Sequence, residues 1–454
     1  MKERKNYRAM QRLNKIVAWI GLIALALPAV AQERHEFSLQ QALDYAKKNS
    51  AQVKNALLDI QIQQQTNRDI TSGALPSITG NGSLTDYLKI PTTLIPAQFF
   101  GGPAGSFEAV QFGTKYNATG TLNLQQTLFD GQVFVGLQAR STAIAVAQKG
   151  AEITEENIRA NVYKVYYQLI VSKVQIGLID ANIARLEKLM HDTKAMYENG
   201  FQDKLSVDRL DVQMANLQTD RQTALNNIAT GYLGLKVLMG MPAKDSLLLT
   251  DSLSDKDVTA GALDLGTFNY KDRRDFQLNE LQIKLNEYNV KRYKLSYIPV
   301  LGFNAAYQKN AQRTKFDFTD SKGDWFTTSY IGLNLTIPIF DGFSKDANIK
   351  KAKLQVQQYK NQLDALKISI DNQVETARLQ YNLAISTMDA QRKNMALAEA
   401  VYNQTKKKYE VGTASNTDIT NVETDLRQAQ TNYISAVYSA IVAKVDYLKA
   451  TGKL

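Results

Sequence analysis

Residues 333–342 read LNLTIPIFDG, and residues 122–131 read LNLQQTLFDG. The two stretches lie 211 residues apart, and the segments downstream of them repeat as well: YENG at 197–200 returns as YEVG at 409–412, an offset of 212. Leu235 to Gly240 pairs with Tyr447 to Gly452 at the same offset of 212. A slip of one residue over so long a stretch marks a duplicated unit rather than chance. Upstream, Leu75-Pro76 pairs with Ile298-Pro299 at an offset of 223, so the first half carries about 12 more residues between Pro76 and Leu122. The expected organisation is a leader at 1–31, a first repeat at 32–242 (helix, two strands, long helix, helix), a linker at 243–271 and a second repeat at 272–454.

The quoted stretches are strand-like. Ile331, Leu333, Leu335, Ile337 and Ile339 alternate with Gly332, Asn334, Thr336 and Pro338, and Leu122, Leu124 and Leu128 alternate with polar neighbours. Leu301, Phe303, Ala305 and Tyr307 do the same, and Ile78 to Leu84 follow more weakly. Period 2 over a strand's length gives one apolar and one polar face. In a membrane barrel the apolar side meets lipid and the polar side lines water, whereas in a soluble β-layer the apolar side meets a core. Aromatics crowd the strand ends and loops (Phe99, Phe100, Phe107, Phe112, Tyr116, Trp325, Phe326, Tyr330), which suits an interfacial girdle. Four strands cannot close a barrel, and open edges cannot sit in lipid, so a barrel would be shared between chains. Two chains would give eight strands and a filled interior; three would give twelve and a lumen.

The rest is helix. None of the prolines falls in 104–241 or 339–454, and 343–411 holds no glycine. Proline costs a helix interior about 3 kcal/mol, so these gaps permit long helices. Ile158, Val162, Val165 and Leu169, like Ile349, Ala352, Val356 and Tyr359, step by 3 and 4, the spacing of a coiled-coil seam. Helices over 132–196 and 343–408 would each be on the order of 100 Å long. Shorter ones are expected at 39–72, 205–240, 272–296 and 418–450. The fold class is therefore mainly α with membrane β: long antiparallel coiled-coil helices plus four strands per chain.

Charge and composition exclude several alternatives. Residues 1–15 are basic, Ile16 to Leu27 are apolar, and Ala29-Val30-Ala31 ends the run, the pattern of a secretory signal peptide cleaved after Ala31. That segment carries +5 of the chain's net +10, so the case for nucleic-acid binding loses its main support. With no cysteine and only His35 and His191, no cofactor, metal centre or catalytic set is expected.

SLQQALDYAKKNS at 38–50, the duplicated strand–strand–long-helix units, the two FDG turns and YEVGT at 409–413 followed by Asp418 resemble the TolC-like outer-membrane efflux proteins. The resemblance covers nearly the whole chain after the leader. It implies a homotrimer in the outer membrane of a Gram-negative bacterium, with a twelve-stranded β-barrel and a helical tunnel in the periplasm. A periplasmic adaptor would join it to an inner-membrane pump. Each Y-x-x-G would sit at the periplasmic tip, with Tyr197, Gly200, Phe201, Leu205, Tyr409, Val411, Gly412 and Thr413 docking the adaptor; a plain helical-hairpin cap is the simpler role. The family's constricting acids would fall on Asp418 and Asn421, the second an amide here, with Asp425 two turns further on. A ring of three Asp418 side chains would narrow the pore and favour cations, although Ser415-x-x-Asp418 also reads as a capping box. The implied function is an exit duct for small molecules such as drugs or metal ions, with protein secretion and a pore-free coiled-coil protein as alternatives.

Overall fold

A computed structural model describes residues 34–253, 268–320 and 323–454. The leader at 1–31 and residues 254–267 of the linker lie outside the described residues. The described chain runs β1 (Arg34–Phe37), α1 (Leu39–Asn49), α2 (Ala51–Ser72), β2 (Ser77–Asp86), β3 (Thr92–Pro96), β4 (Phe107–Gln111), β5 (Tyr116–Phe129) and α3 (Gly131–Glu198). It continues with α4 (Lys204–Met239), β6 (Ser246–Leu249), α5 (Arg274–Leu295), β7 (Val300–Arg313), β8 (Phe326–Thr336), α6 (Ser344–Glu410) and α7 (Asn416–Ala450). No described helix is long and apolar enough to cross a membrane.

Two compact units divide these residues, and they cut across the sequence repeats because each repeat gives its two sheet strands and the adjoining helical stretches to one unit and the helical stretches around its Y-x-x-G turn to the other. The first unit holds residues 34–54, 155–253, 268 and 374–454. Its core is a seam of α3, α4, α6 and α7, with Tyr166, Leu169, Leu235, Met239, Val437 and Ile441 buried together. A second cluster, nearer the helix turns, joins Leu186, Leu210, Tyr402, Tyr409, Ile419 and Leu426. These positions step by 3, 4 and 7 along each helix, as an apolar stripe must. The parallel β1–β6 pair closes one side. There the Asp251 carboxylate accepts from the Leu39 backbone N–H at 2.8 Å and from the Tyr166 hydroxyl at 2.9 Å. The helix expected over 39–72 is two helices, because Ser50 leaves the helical region with ψ 128°. The break lets Gly240 approach: it sits at φ +72°, and a Cβ there would overlap the Asn49 carbonyl.

The second unit holds residues 55–154, 269–320 and 323–373. Its centre is one antiparallel sheet in the order β2-β5-β7-β8. Register sorts its side chains cleanly. Ile78, Leu124, Ala305 and Ile331 pair across on one face. Asn123, Gln125, Asn304 and Asn334 belong to the other. Among the described residues no second layer covers the apolar face: Ile331 is 78% exposed and Leu333 70%. The polar face is amide and hydroxyl, and the four strands carry charge only at Asp86, Lys309 and Arg313, toward one end. The ladder stops at Thr336, short of the alternation read to Ile339, because Pro338 has no N–H to donate. Of the aromatics expected at strand ends and loops, Phe99, Phe100 and Phe107 belong to a β3–β4 hairpin in the connection between β2 and β5 and to the turn that closes it. Tyr116, Trp325 and Phe326 do lie at the end of the sheet.

Candidate functional site

The helix turns of the first unit are built twice by the same rules. Gly200 lies at φ +77° and Gly412 at φ +76°, each just past a long helix. The Gly200 N–H donates to the Tyr197 carbonyl (2.9 Å) and the Phe201 N–H to that of Met196 (2.8 Å). The Gly412 N–H donates to the Tyr409 carbonyl (3.0 Å) and the Thr413 N–H to that of Lys408 (2.8 Å). Both are Schellman turns, which need a left-handed residue that glycine supplies without a Cβ clash. The cap of the next helix lies three residues past the glycine in both cases. The Asp203 carboxylate accepts from the Ser206 N–H, and Ser415 opens α7.

The surfaces of the two turns differ. Tyr197, Gly200, Phe201, Leu205, Val411, Gly412 and Thr413 are exposed. Tyr409 is 3% exposed, its hydroxyl 2.9 Å from that of Thr193. Its repeat partner Tyr197 is 42% exposed. Tyr409 therefore ties α6 to α3 from inside and offers almost no surface of its own at the turn. Sequence reasoning missed Thr193, whose signal is a hydroxyl three residues past Met190 on an otherwise apolar stripe.

Asp418, Asn421 and Asp425 lie exposed along α7, opposite buried Ile419 and Leu426. Asp418 also completes a capping box: its Oδ2 accepts from the Ser415 N–H (2.9 Å) and Oγ–H (2.7 Å). These bonds hold its carboxyl below the usual carboxylate range. One residue thus both starts α7 and keeps an exposed negative charge there, so the two roles are compatible.

A buried polar cluster beside the turns had no clear sequence signal. Glu423 is 6% exposed, with Arg185 Nε 3.7 Å from its Oε1. The Arg185 guanidinium lies 5.7 Å from the centre of the Tyr402 ring. Asn182 donates to Gln430 at 3.2 Å one turn away. Burial pushes the Glu423 carboxyl up, with Arg185 opposing, and burial beside Glu423 pushes Tyr402 up to about 12. The cluster joins α3, α6 and α7 with charges that water would otherwise solvate.

Residues 270–453 match the family model for outer membrane efflux proteins. The outer membrane efflux protein BepC of Brucella suis biovar 1 (strain 1330) is 22% identical over 432 residues, covering 92% of this chain and 86% of BepC. The proteases secretion protein PrtF of Dickeya chrysanthemi is 19% identical over 359 residues, 74% of this chain and 73% of PrtF. The crystal structure of the outer membrane protein VceC from Vibrio cholerae shares the fold, with a TM-score of 0.69 at 15% identity over 91% of this chain and 96% of that one. Residues 270–453 thus carry the pattern of outer membrane efflux proteins, and the chain over nearly its whole length is similar to such proteins in sequence, at 22% identity, and in fold.

Proposed function

We propose that three copies of this chain close a twelve-stranded barrel in the outer membrane and a helical tunnel in the periplasm, forming the exit duct of an efflux system. The uncovered two-faced sheet carries the reading. An apolar face with nothing over it and an uncharged polar face suit lipid on one side and a wet lumen on the other. Four strands leave two open edges, which lipid does not tolerate. Closure by copies of the same chain removes them. The duct is passive.

Under this reading the exposed turns around Gly200 and Gly412 dock a periplasmic adaptor, which couples the duct to an inner-membrane pump. Asp418 from each copy rings the tunnel entrance and Asp425 stands above it. Asn421 makes the ring less acidic than the family pattern. The cargo is small molecules, drugs or metal ions. The relative named for protease secretion supports a second reading, an exit duct for secreted proteins. Extraction from outer membranes in mild detergent and electron microscopy of the particles test the assembly. Threefold particles with a helical stalk support it, and a monomer absent from the membrane fraction overturns it. Single-channel recording of Asp418→Ala tests the ring: cation preference should fall, and an unchanged preference would remove Asp418 from the constriction.

A further inference from the structure

The β3–β4 hairpin is an apolar surface that neither the strands nor the helix turns explain. Leu88, Leu94, Phe99, Phe100, Phe107 and Phe112 are all exposed on it or at its root, Phe99 at 78%. The turn holding the phenyl groups is built, not slack. The Ala97 N–H donates to the Ser106 carbonyl (2.9 Å) and the Gly102 N–H to the Ala97 carbonyl (2.8 Å). Ala97 is buried beneath, and Gly101 and Gly105 turn the chain at φ +81° and +85°. A two-stranded hairpin by itself is marginal in water, so an ordered one with an apolar tip calls for a cover.

Two observations say what covers it. The first is continuity. The hairpin grows from the end of the β2–β5 ladder, where the Tyr87 N–H still donates to the Lys115 carbonyl at 2.8 Å. It is thus an outgrowth of the same sheet whose apolar face is turned to lipid. The second is charge. Residues 87–114 contain only Lys89 and Glu108 as charged groups, whereas the loop at 314–325, at the same end of the sheet, has five charged residues in twelve. The charged loop is built for water at that end of the sheet, and the hairpin is not.

We propose that the β3–β4 hairpin is a lipid anchor: it lies against the barrel's outer rim with Phe99, Phe100 and Phe107 among the acyl chains of the outer leaflet. Its partner is a lipid surface, not a cargo or a second protein. The about 12 extra residues of the first repeat fall in this interval, so the anchor is what that insertion adds. The inference rests on the barrel reading above, and its test separates the two.

Beyond the leader the chain has one tryptophan, Trp325. In a Trp325→Phe background, Phe99→Trp reports the hairpin and Ile331→Trp reports the sheet's apolar face. Each variant, refolded as the full-length assembly, goes into phosphatidylcholine vesicles with plain or brominated acyl chains. The expected result is that brominated lipid quenches Phe99→Trp as strongly as Ile331→Trp. Quenching at Ile331→Trp but not at Phe99→Trp overturns the anchor and leaves the barrel standing; iodide then shows whether the hairpin faces water or another copy. Quenching at neither overturns both.

Discussion

Placing a charge on the sheet's apolar face should cost far more than placing it on the polar face of the same strand. Ile331 is the middle residue of β8, which runs from Phe326 to Thr336. It pairs with Ala305 on a face with no protein layer above it. If that face meets hydrocarbon, Ile331→Arg carries a guanidinium to the bilayer midplane, at about 2–4 kcal/mol, falling to about 0–1 near the interface. A cost of about 3 kcal/mol lowers the folded-to-unfolded ratio roughly a hundredfold. Thr327→Arg, on the same face but one residue from the strand end, should cost about 0–1 kcal/mol. Asn334→Arg, on the polar face, should be close to neutral because the side chain stays in water. Guanidinium titration of folding into lipid vesicles measures all three. In a sheet bathed by water on both sides, Ile331→Arg would cost nothing. Equal costs at Ile331 and Asn334 would refute the assignment of faces, and equal costs at Ile331 and Thr327 would refute the depth.

The remaining predictions concern the helices and their turns. Asn421→Asp should raise cation preference in single-channel recordings by restoring a second acid beside Asp418. The Asp418 carboxyl is held low by Ser415, so it stabilises the folded state above its unfolded pKa and loses that contribution only as pH falls through the lower folded value. Cation preference should therefore survive acidification through the ordinary carboxylate range, and Ser415→Ala should shift its loss to higher pH. Gly412→Ala forces a Cβ into the left-handed region and should cost about 1–2 kcal/mol in denaturant melts. Gly234→Ala, on an exposed helical surface with open space around it, should stabilise by about 0.5–1 kcal/mol. Arg185→Met strands the Glu423 carboxylate without its countercharge and should cost about 3–5 kcal/mol, and adding Glu423→Leu should restore most of it in thermal unfolding.

The parts of the fold that rest on local patterning were legible before any coordinates. The alternation around Leu124 and Leu333 set β5 and β8, and the proline-free stretches set α3 and α6, which start and end within two residues of the expected bounds. The positive φ at Gly200 and Gly412 follows from a glycine just past a long apolar stripe. What escaped depends on distance. The β1–β6 pair joins a four-residue segment at the start of the first repeat to one in the linker after it, too short for any periodicity to mark. The β3–β4 hairpin hid behind Pro91 and Pro96, which read as loop and yet flank an antiparallel ladder with room at its edges. Arg185 and Glu423 look like ordinary surface charges in one dimension and become a buried pair only when α3 and α7 come together. Tyr197 and Tyr409 occupy equivalent letters of the repeat, and only packing decides that one faces out and the other in.

The sheet with two uncovered faces also constrains where the molecule can rest. In water its apolar side would drive aggregation, and in hydrocarbon alone its amide side would be stranded, so neither medium by itself satisfies both faces. The helical core has no such dependence, since its buried stripes close against one another in water. The two units therefore differ in what completes them: the buried helical stripes are satisfied by the chain's own core, whereas the sheet's faces call for surroundings that differ on its two sides.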